Sequence, residues 1–151
     1  MKLDPIVRSV VVPASRERAF EVFTSGMTGW WPASHHIGEA PIAEVIIEPF
    51  EGGRWYTRHE DGAETYTGFV RTWDPPSRLV VTWQINAEWK YDPALVTLVE
   101  VTFEAVEGGT RVSIEHRDLE RFGPDAERMW QTFQQPNAWG GMLEHYARGV
   151  C

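Results

Sequence analysis

The sequence predicts an α+β domain in which a curved antiparallel sheet of about six or seven strands wraps around a long C-terminal helix. Seven short β-rich runs recur between turn residues at the spacing of consecutive hairpin strands. Near the C-terminal end the apolar period changes from two residues to 3.6. No repeat, linker or low-complexity segment divides the 151 residues, so 1–151 are expected to share one core.

Ile6–Val12 mixes β-branched side chains with Arg8 and Ser9, which makes a strand, and Pro13 ends it. Ser15 is placed to cap a helix running to about Thr24, with Ala19, Phe20 and Phe23 on one apolar face. Residues 26–32 form a short turn or helical knuckle carrying Trp30 and Trp31, and the polar stretch 33–41, with His35 and His36, reads as a loop. Six more strands follow over 43–47, 54–59, 64–73, 79–85, 97–105 and 110–117. Gly52-Gly53, Asp61-Gly62, Asp74-Pro75-Pro76 and Gly108-Gly109 supply turns between them, and a polar bulge runs through Trp89 and Pro93. Pro124 and Asp125 open a helical piece with Met129, Trp130 and Phe133. Pro136 breaks it, because proline lacks an N–H and disfavours helix at Gln135. Trp139, Met142, Leu143, Tyr146 and Val150 then form the apolar stripe of the terminal helix.

Leu79, Val81, Trp83 and Ile85 share one side of their strand, and Val80, Thr82 and Gln84 the other, as in a sheet with one covered face. One helix cannot cover six or seven strands tightly. Either the sheet curls around it or a cavity remains between them.

Fourteen Lys and Arg against 22 Asp and Glu give a net charge of −8, with no basic run, which disfavours a nucleic-acid groove or an anionic membrane surface. No window reaches 18 uninterrupted apolar residues, and Met1-Lys2-Leu3-Asp4-Pro5 lacks the apolar stretch of a signal peptide; membrane insertion and export are not expected. The one cysteine, Cys151, permits no internal disulfide and no cysteine-based zinc site, which suits a reducing cytoplasm.

Eight Trp, seven Phe and four Tyr are more ring than a plain core of this size needs, and suggest a ring-lined concave site. Trp31, Trp55, Tyr66, Trp83, Phe103 and Trp139, with Met142, Leu143 and Tyr146 on the helix side, are the candidate ligand-binding residues. Any one of them alone is better explained by core packing; the set is what points to a site. His116 shares the inward parity of Val112 and Ile114, so it is a candidate polar anchor or general acid/base near neutral pH. The competing reading is a hydrogen-bonded structural histidine. Adjacent His35 and His36 rarely aim both rings at one ion and have no third ligand at a recognisable spacing, so they read as loop histidines and no metal or cofactor is expected. His59 either reaches the cavity or sits at a strand end. Glu100 and Glu104 fall on the outward face, and no nucleophile set, phosphate loop or inward acid pair stands out.

In order along the chain, Val11-Val12-Pro13-Ala14-Ser15, Trp30-Trp31-Pro32, Glu48-Pro49-Phe50-Glu51-Gly52-Gly53-Arg54-Trp55, Gly68-Phe69-Val70 and Trp73-Asp74-Pro75-Pro76 form an ordered set. Gly108-Gly109-Thr110-Arg111-Val112, Glu115-His116-Arg117 and Trp139 complete it. With these pieces the chain resembles the START-like (SRPBCC, helix-grip) superfamily and, within it, the family named for the activator of the heat-shock-protein-90 ATPase. The resemblance implies a curved sheet gripping the terminal helix around a hydrophobic cavity that in many relatives holds a lipid or polyketide-like ligand.

The expected function is binding of a small, largely hydrophobic molecule between sheet and helix. One alternative is a cyclase- or dehydratase-like enzyme using a cavity histidine, His116 or His59, although no catalytic constellation argues for it. Another is a chaperone or regulator interaction module, with a role in stress response. A homodimer is compatible with either.

Overall fold

The structure is a computed structural model that describes residues 3–35, 37 and 39–150. Its strands are β1 (Ile6–Val12), β2 (Ile42–Ile47), β3 (Arg54–His59), β4 (Glu64–Asp74), β5 (Arg78–Trp83), β6 (Thr97–Val106) and β7 (Gly109–Arg117). They form one antiparallel sheet in the order β1-β7-β6-β5-β4-β3-β2, curved into a half-barrel. The helices are α1 (Arg16–Thr24), α2 (Met27–Trp30), α3 (Ala126–Phe133), preceded by a 3-10 segment Leu119–Asp125, and α4 (Trp139–Val150). This is the helix-grip arrangement. No helix among the described residues is long and apolar enough to cross a membrane.

Because β1 and β2 lie at opposite edges, the connection between them must cross the sheet. α1 and α2 make that crossing. Ser15 caps α1 by accepting a hydrogen bond from the Arg18 amide (3.1 Å), and the predicted face, Ala19, Phe20 and Phe23, is buried. Phe20 meets Trp73 and Phe103, each at 5.1 Å between ring centres. The stripe of α4 is buried as the 3.6 spacing requires, and the Tyr146 hydroxyl donates to the Ala19 carbonyl at 2.7 Å. Phe23, Trp30 and Tyr146 thereby close one end of the space between sheet and helix.

Two register shifts bend β4. Trp55 pairs with Gly68 but Tyr56 with Tyr66, which leaves Thr67 as the extra residue; Val70 pairs with Val81 but Thr72 with Val80, which leaves Arg71. Each bulge sharpens the local twist and helps the sheet curl around α4. At Gly68 the next strand comes so close that a Cβ would stand 1.9 Å from the Thr82 carbonyl oxygen. The Thr82 hydroxyl uses that gap to accept the Phe69 N–H at 2.8 Å.

The expectation of one covered face fails at β5, where Val80 and Thr82 are buried as deeply as Leu79 and Val81, and Gln84 just beyond is buried too. The segment after β5 folds back across the outer face. Asp92 N–H donates to the Gln84 carbonyl (2.8 Å), Ile85 bridges Tyr91, and Tyr91 meets Tyr66 at 5.6 Å. The outward acids follow the expected parity: Glu100 is flanked by Arg78 and Arg117 at 2.6 Å each.

Replacing Gly68 by Ala should force β4 and β5 apart. A loss of about 2 kcal/mol or more is expected from overpacking of this kind, read as a lowered Tm in thermal circular dichroism.

Candidate ligand-binding cavity

The end of the concave space that α1 and α2 do not fill is a cavity of about 450 Å³. Its sheet wall consists of Thr57 on β3, Thr65 and Thr67 on β4, and Trp83 with Ile85. Trp139 and Met142 face it from the first turns of α4, and Thr132, Phe133, Asn137 and Ala138 from the end of α3 and the following turn. Trp31, Ser34, His35 and Ile37 close it from the loop after α2, and Trp89 stands at the tip of the β5–β6 connection.

Two kinds of wall result. Trp83 meets Trp139 at 5.7 Å and Phe133 at 5.5 Å, both edge to face, which gives a continuous ring surface. Beside it on the sheet, along β3 and β4, runs a stripe of three threonines. His59 Nδ1–H donates to the Ala40 carbonyl and leaves Nε2 to accept the Thr65 hydroxyl, both at 2.8 Å. The hydroxyls of Thr57 and Thr67 have no hydrogen-bond partner among the described residues. The buried N–H groups of Trp83 and of Trp55 behind it are likewise unpaired. Among the described lining residues only His35 is titratable; no carboxylate, lysine or arginine faces the space. The His35 ring spans the mouth, with Nε2 2.9 Å from the Asn137 carbonyl and Nδ1 3.1 Å from the Ser34 hydroxyl. The Trp31 N–H donates to the His35 carbonyl at 2.7 Å.

Of the candidates read from the sequence, Trp31, Trp83, Trp139 and Met142 line the cavity together. Trp55 backs it, 5.9 Å from both Trp31 and Trp83. Phe103, Leu143 and Tyr146 are buried outside the lining. Phe103 packs on Phe20 and Phe23, and Tyr146 is tied to α1. Tyr66 points the other way. Strict alternation would place it inward with Val70, but the Thr67 bulge inverts the parity and turns Thr65 and Thr67 in instead.

His116 keeps its inward parity yet does not reach the cavity. It is fully buried, and both ring nitrogens are engaged. Nδ1 accepts the Trp139 N–H at 3.1 Å; Nε2–H donates to the Thr97 hydroxyl at 2.9 Å, which donates to the Trp83 carbonyl at 2.9 Å. Desolvation pushes its pKa down to about 3, so the ring is neutral. Its role in this geometry is to hold the Trp139 indole directly and, through Thr97, the backbone of Trp83, two of the residues that face the cavity. His59 is buried beside the threonine stripe rather than in the lining. His35, expected as a structural or solvent-exposed loop histidine, is at the mouth, and His36 lies outside the described residues. Of the threonines that sequence reasoning missed, Thr57 is signalled by its alternation with Trp55 and Thr65 pairs with it across the hairpin, whereas Thr67 is the bulged residue and has no such signal. For His35 and Trp89 no local signal exists.

The model of the activator of Hsp90 ATPase homolog 1-like protein family matches residues 13–145. A solved anthrahydroquino-γ-pyrone synthase is 37% identical, covers 98% of this chain and 97% of its own, and superposes with a TM-score of 0.67. CalC, a self-sacrificing resistance protein from Micromonospora echinospora, is 30% identical over 97% of this chain and 94% of its own, with a TM-score of 0.72. Protein NE0264 from Nitrosomonas europaea, at 13% identity, a TM-score of 0.69 and coverage of 97% and 94%, shares the fold. No curated protein sequence matches the chain.

The neutral His116 makes stability depend on pH. Its folded pKa of about 3 lies below the ordinary 6.5, so below pH 6.5 the unfolded chain takes up a proton that the folded chain refuses. This contribution is complete above about pH 6.5 and is lost as pH falls toward 3, amounting to about 2 kcal/mol by pH 5. His116→Gln cannot ionise, so its Tm should fall less than the wild-type Tm between pH 7 and 5 in scanning calorimetry.

Proposed function

The chain belongs to the activator of Hsp90 ATPase homolog 1-like family, and from that premise we propose that it binds a neutral, planar, oxygen-bearing aromatic molecule of the polyketide type. The observation that carries this reading is the mixed lining of the cavity: a ring surface bordered by threonine hydroxyls that have no partner among the described residues, and no titratable side chain but a histidine among its described lining residues. A charged ligand would lose its hydration there without gaining a counter-ion, a cost of several kcal/mol. A flat neutral ring system buries its faces against Trp83, Phe133 and Trp139, and each carbonyl or phenol oxygen on its edge can exchange a hydrogen bond with Thr57 or Thr67. Edge-to-face walls also suit rings better than an acyl chain. The synthase at 37% identity, whose name is that of an oxygenated polycycle, supports the same chemical class.

That synthase also favours a second reading, in which the bound molecule is cyclised. His116 is sealed off from the cavity, so among the described lining residues the ionisable side chain available to move a proton is His35 at the mouth. In this reading His35→Gln would still bind a linear polyketide substrate but lose its turnover, read by chromatography of the products.

Tryptophan fluorescence should be quenched on titration with 1,8-dihydroxyanthraquinone, and Thr57→Val should weaken the affinity about three- to tenfold with Tm unchanged, the worth of one neutral hydrogen bond. Absence of quenching, with no binding by calorimetry either, would sink the reading.

A further inference from the structure

Trp89 adopts a φ of 60°, the left-handed region that bulky residues avoid and glycine or asparagine ordinarily occupies. Its loop is built to hold that conformation. Asn86 donates its N–H to the Lys90 carbonyl and accepts the Trp89 N–H on its own, each at 2.9 Å, while its side-chain oxygen accepts the amides of Glu88 (3.0 Å) and Lys90 (3.1 Å). A glycine would make the same turn without strain. Core packing does not offset the strain either, because the residue is 49% exposed.

What the residue borders is two concavities at once. With Ile37 and Thr65 it lines both the inner cavity and an outer recess of about 720 Å³ that also holds Tyr66, Tyr91, Glu88 and Lys90. Tyr66 reaches that recess because the Thr67 bulge turns it outward. Trp89 is the lip between the two spaces. A large aromatic surface held in a strained conformation, exposed at the rim of a cavity, fits a contact with something that passes over it.

Resting on the ligand reading above, we propose that Trp89 is a specificity-determining residue for an extended ligand: a planar body sits in the cavity, and a hydroxyl-bearing appendage lies across Trp89 into the outer recess. The recess mixes tyrosine rings with charged side chains, which suits an appendage with apolar faces and hydroxyl edges.

Calorimetric titration of the wild type and Trp89→Gly with 1,8-dihydroxyanthraquinone and with its mono-O-glucoside tests this. The wild type is expected to bind the glucoside at least as tightly as the aglycone. In the variant the glucoside should weaken about tenfold or more and the aglycone less than about threefold, with a Tm equal to the wild type or a few degrees higher. Equal weakening of both probes, an unchanged glucoside affinity, wild-type binding of the aglycone alone, or a Tm fall of more than about 5 °C overturns the assignment. Binding of neither probe overturns the cavity reading itself and the lip with it, so the two failures are distinguishable.

Discussion

A seven-stranded sheet is far wider than one helix. Six inter-strand steps span about 29 Å when flat, against about 10–12 Å for a helix with its side chains. The terminal helix α4 therefore leaves most of the concave face to be covered by something else, and the rest of the molecule is organised by how that is done. Curvature, through the bulges at Thr67 and Arg71, narrows the face. The β1–β2 crossing then lays α1 and α2 over one end, where Phe20, Phe23, Trp30, Phe103 and Tyr146 form a ring-packed plug. At the other end the end of α3, the turn after it and the loop after α2 line the space without filling it. The cavity lies where the cover runs out.

The boundary between plug and cavity is set by a polar relay rather than by apolar packing alone. Trp139 N–H, His116, the Thr97 hydroxyl and the Trp83 carbonyl form a chain in which every donor has an acceptor. Burial of an imidazole among rings, Phe133 at 4.6 Å and Trp83 at 5.9 Å, is tolerable only because the ring is neutral and both nitrogens are used. The relay ties the Trp139 indole to the backbone of Trp83 across a helix–sheet junction, and the rings of these two residues are part of the cavity's aromatic wall. A residue that touches nothing in the cavity thus determines its shape.

Much of this was legible in the sequence, and the reason is locality. The Ser15 cap, the α4 stripe, the seven strands and the turns between them depend on residues a few positions apart, and all appear where those residues place them. Trp83, Trp139 and Met142 could be aimed correctly because no bulge intervenes on β5 or α4. Tyr66 could not, since the Thr67 bulge arises from pairing with β3 and has no signature in β4 itself. Phe103 and Tyr146 share parity or stripe with cavity residues; which end of the stripe is plugged is decided by a crossing some 100 residues away. His35 and Trp89 belong to loops, whose direction only tertiary contacts fix.

The aromatic surplus can be sorted by what each indole N–H does. Trp30 donates to the Val22 carbonyl, Trp130 to Asp4, Trp31 to His35 and Trp139 to His116. Each of these four is tied to the protein itself. Trp55 and Trp83 are buried, lie 5.9 Å apart and donate to nothing among the described residues. An unpaired buried donor costs about 1–3 kcal/mol, and a core selected for stability alone would remove it by substituting Phe or Leu. Two such donors lie side by side near the wall that carries the Thr57 and Thr67 hydroxyls, whereas the other unpaired buried atom among the described residues, Glu120 Oε2, is in the 3-10 segment. A fold that satisfies His116 through three successive hydrogen bonds has the means to satisfy these groups as well. The Thr57 and Thr67 hydroxyls, which belong to residues lining the cavity, are the groups that the proposed oxygen-bearing guest would engage.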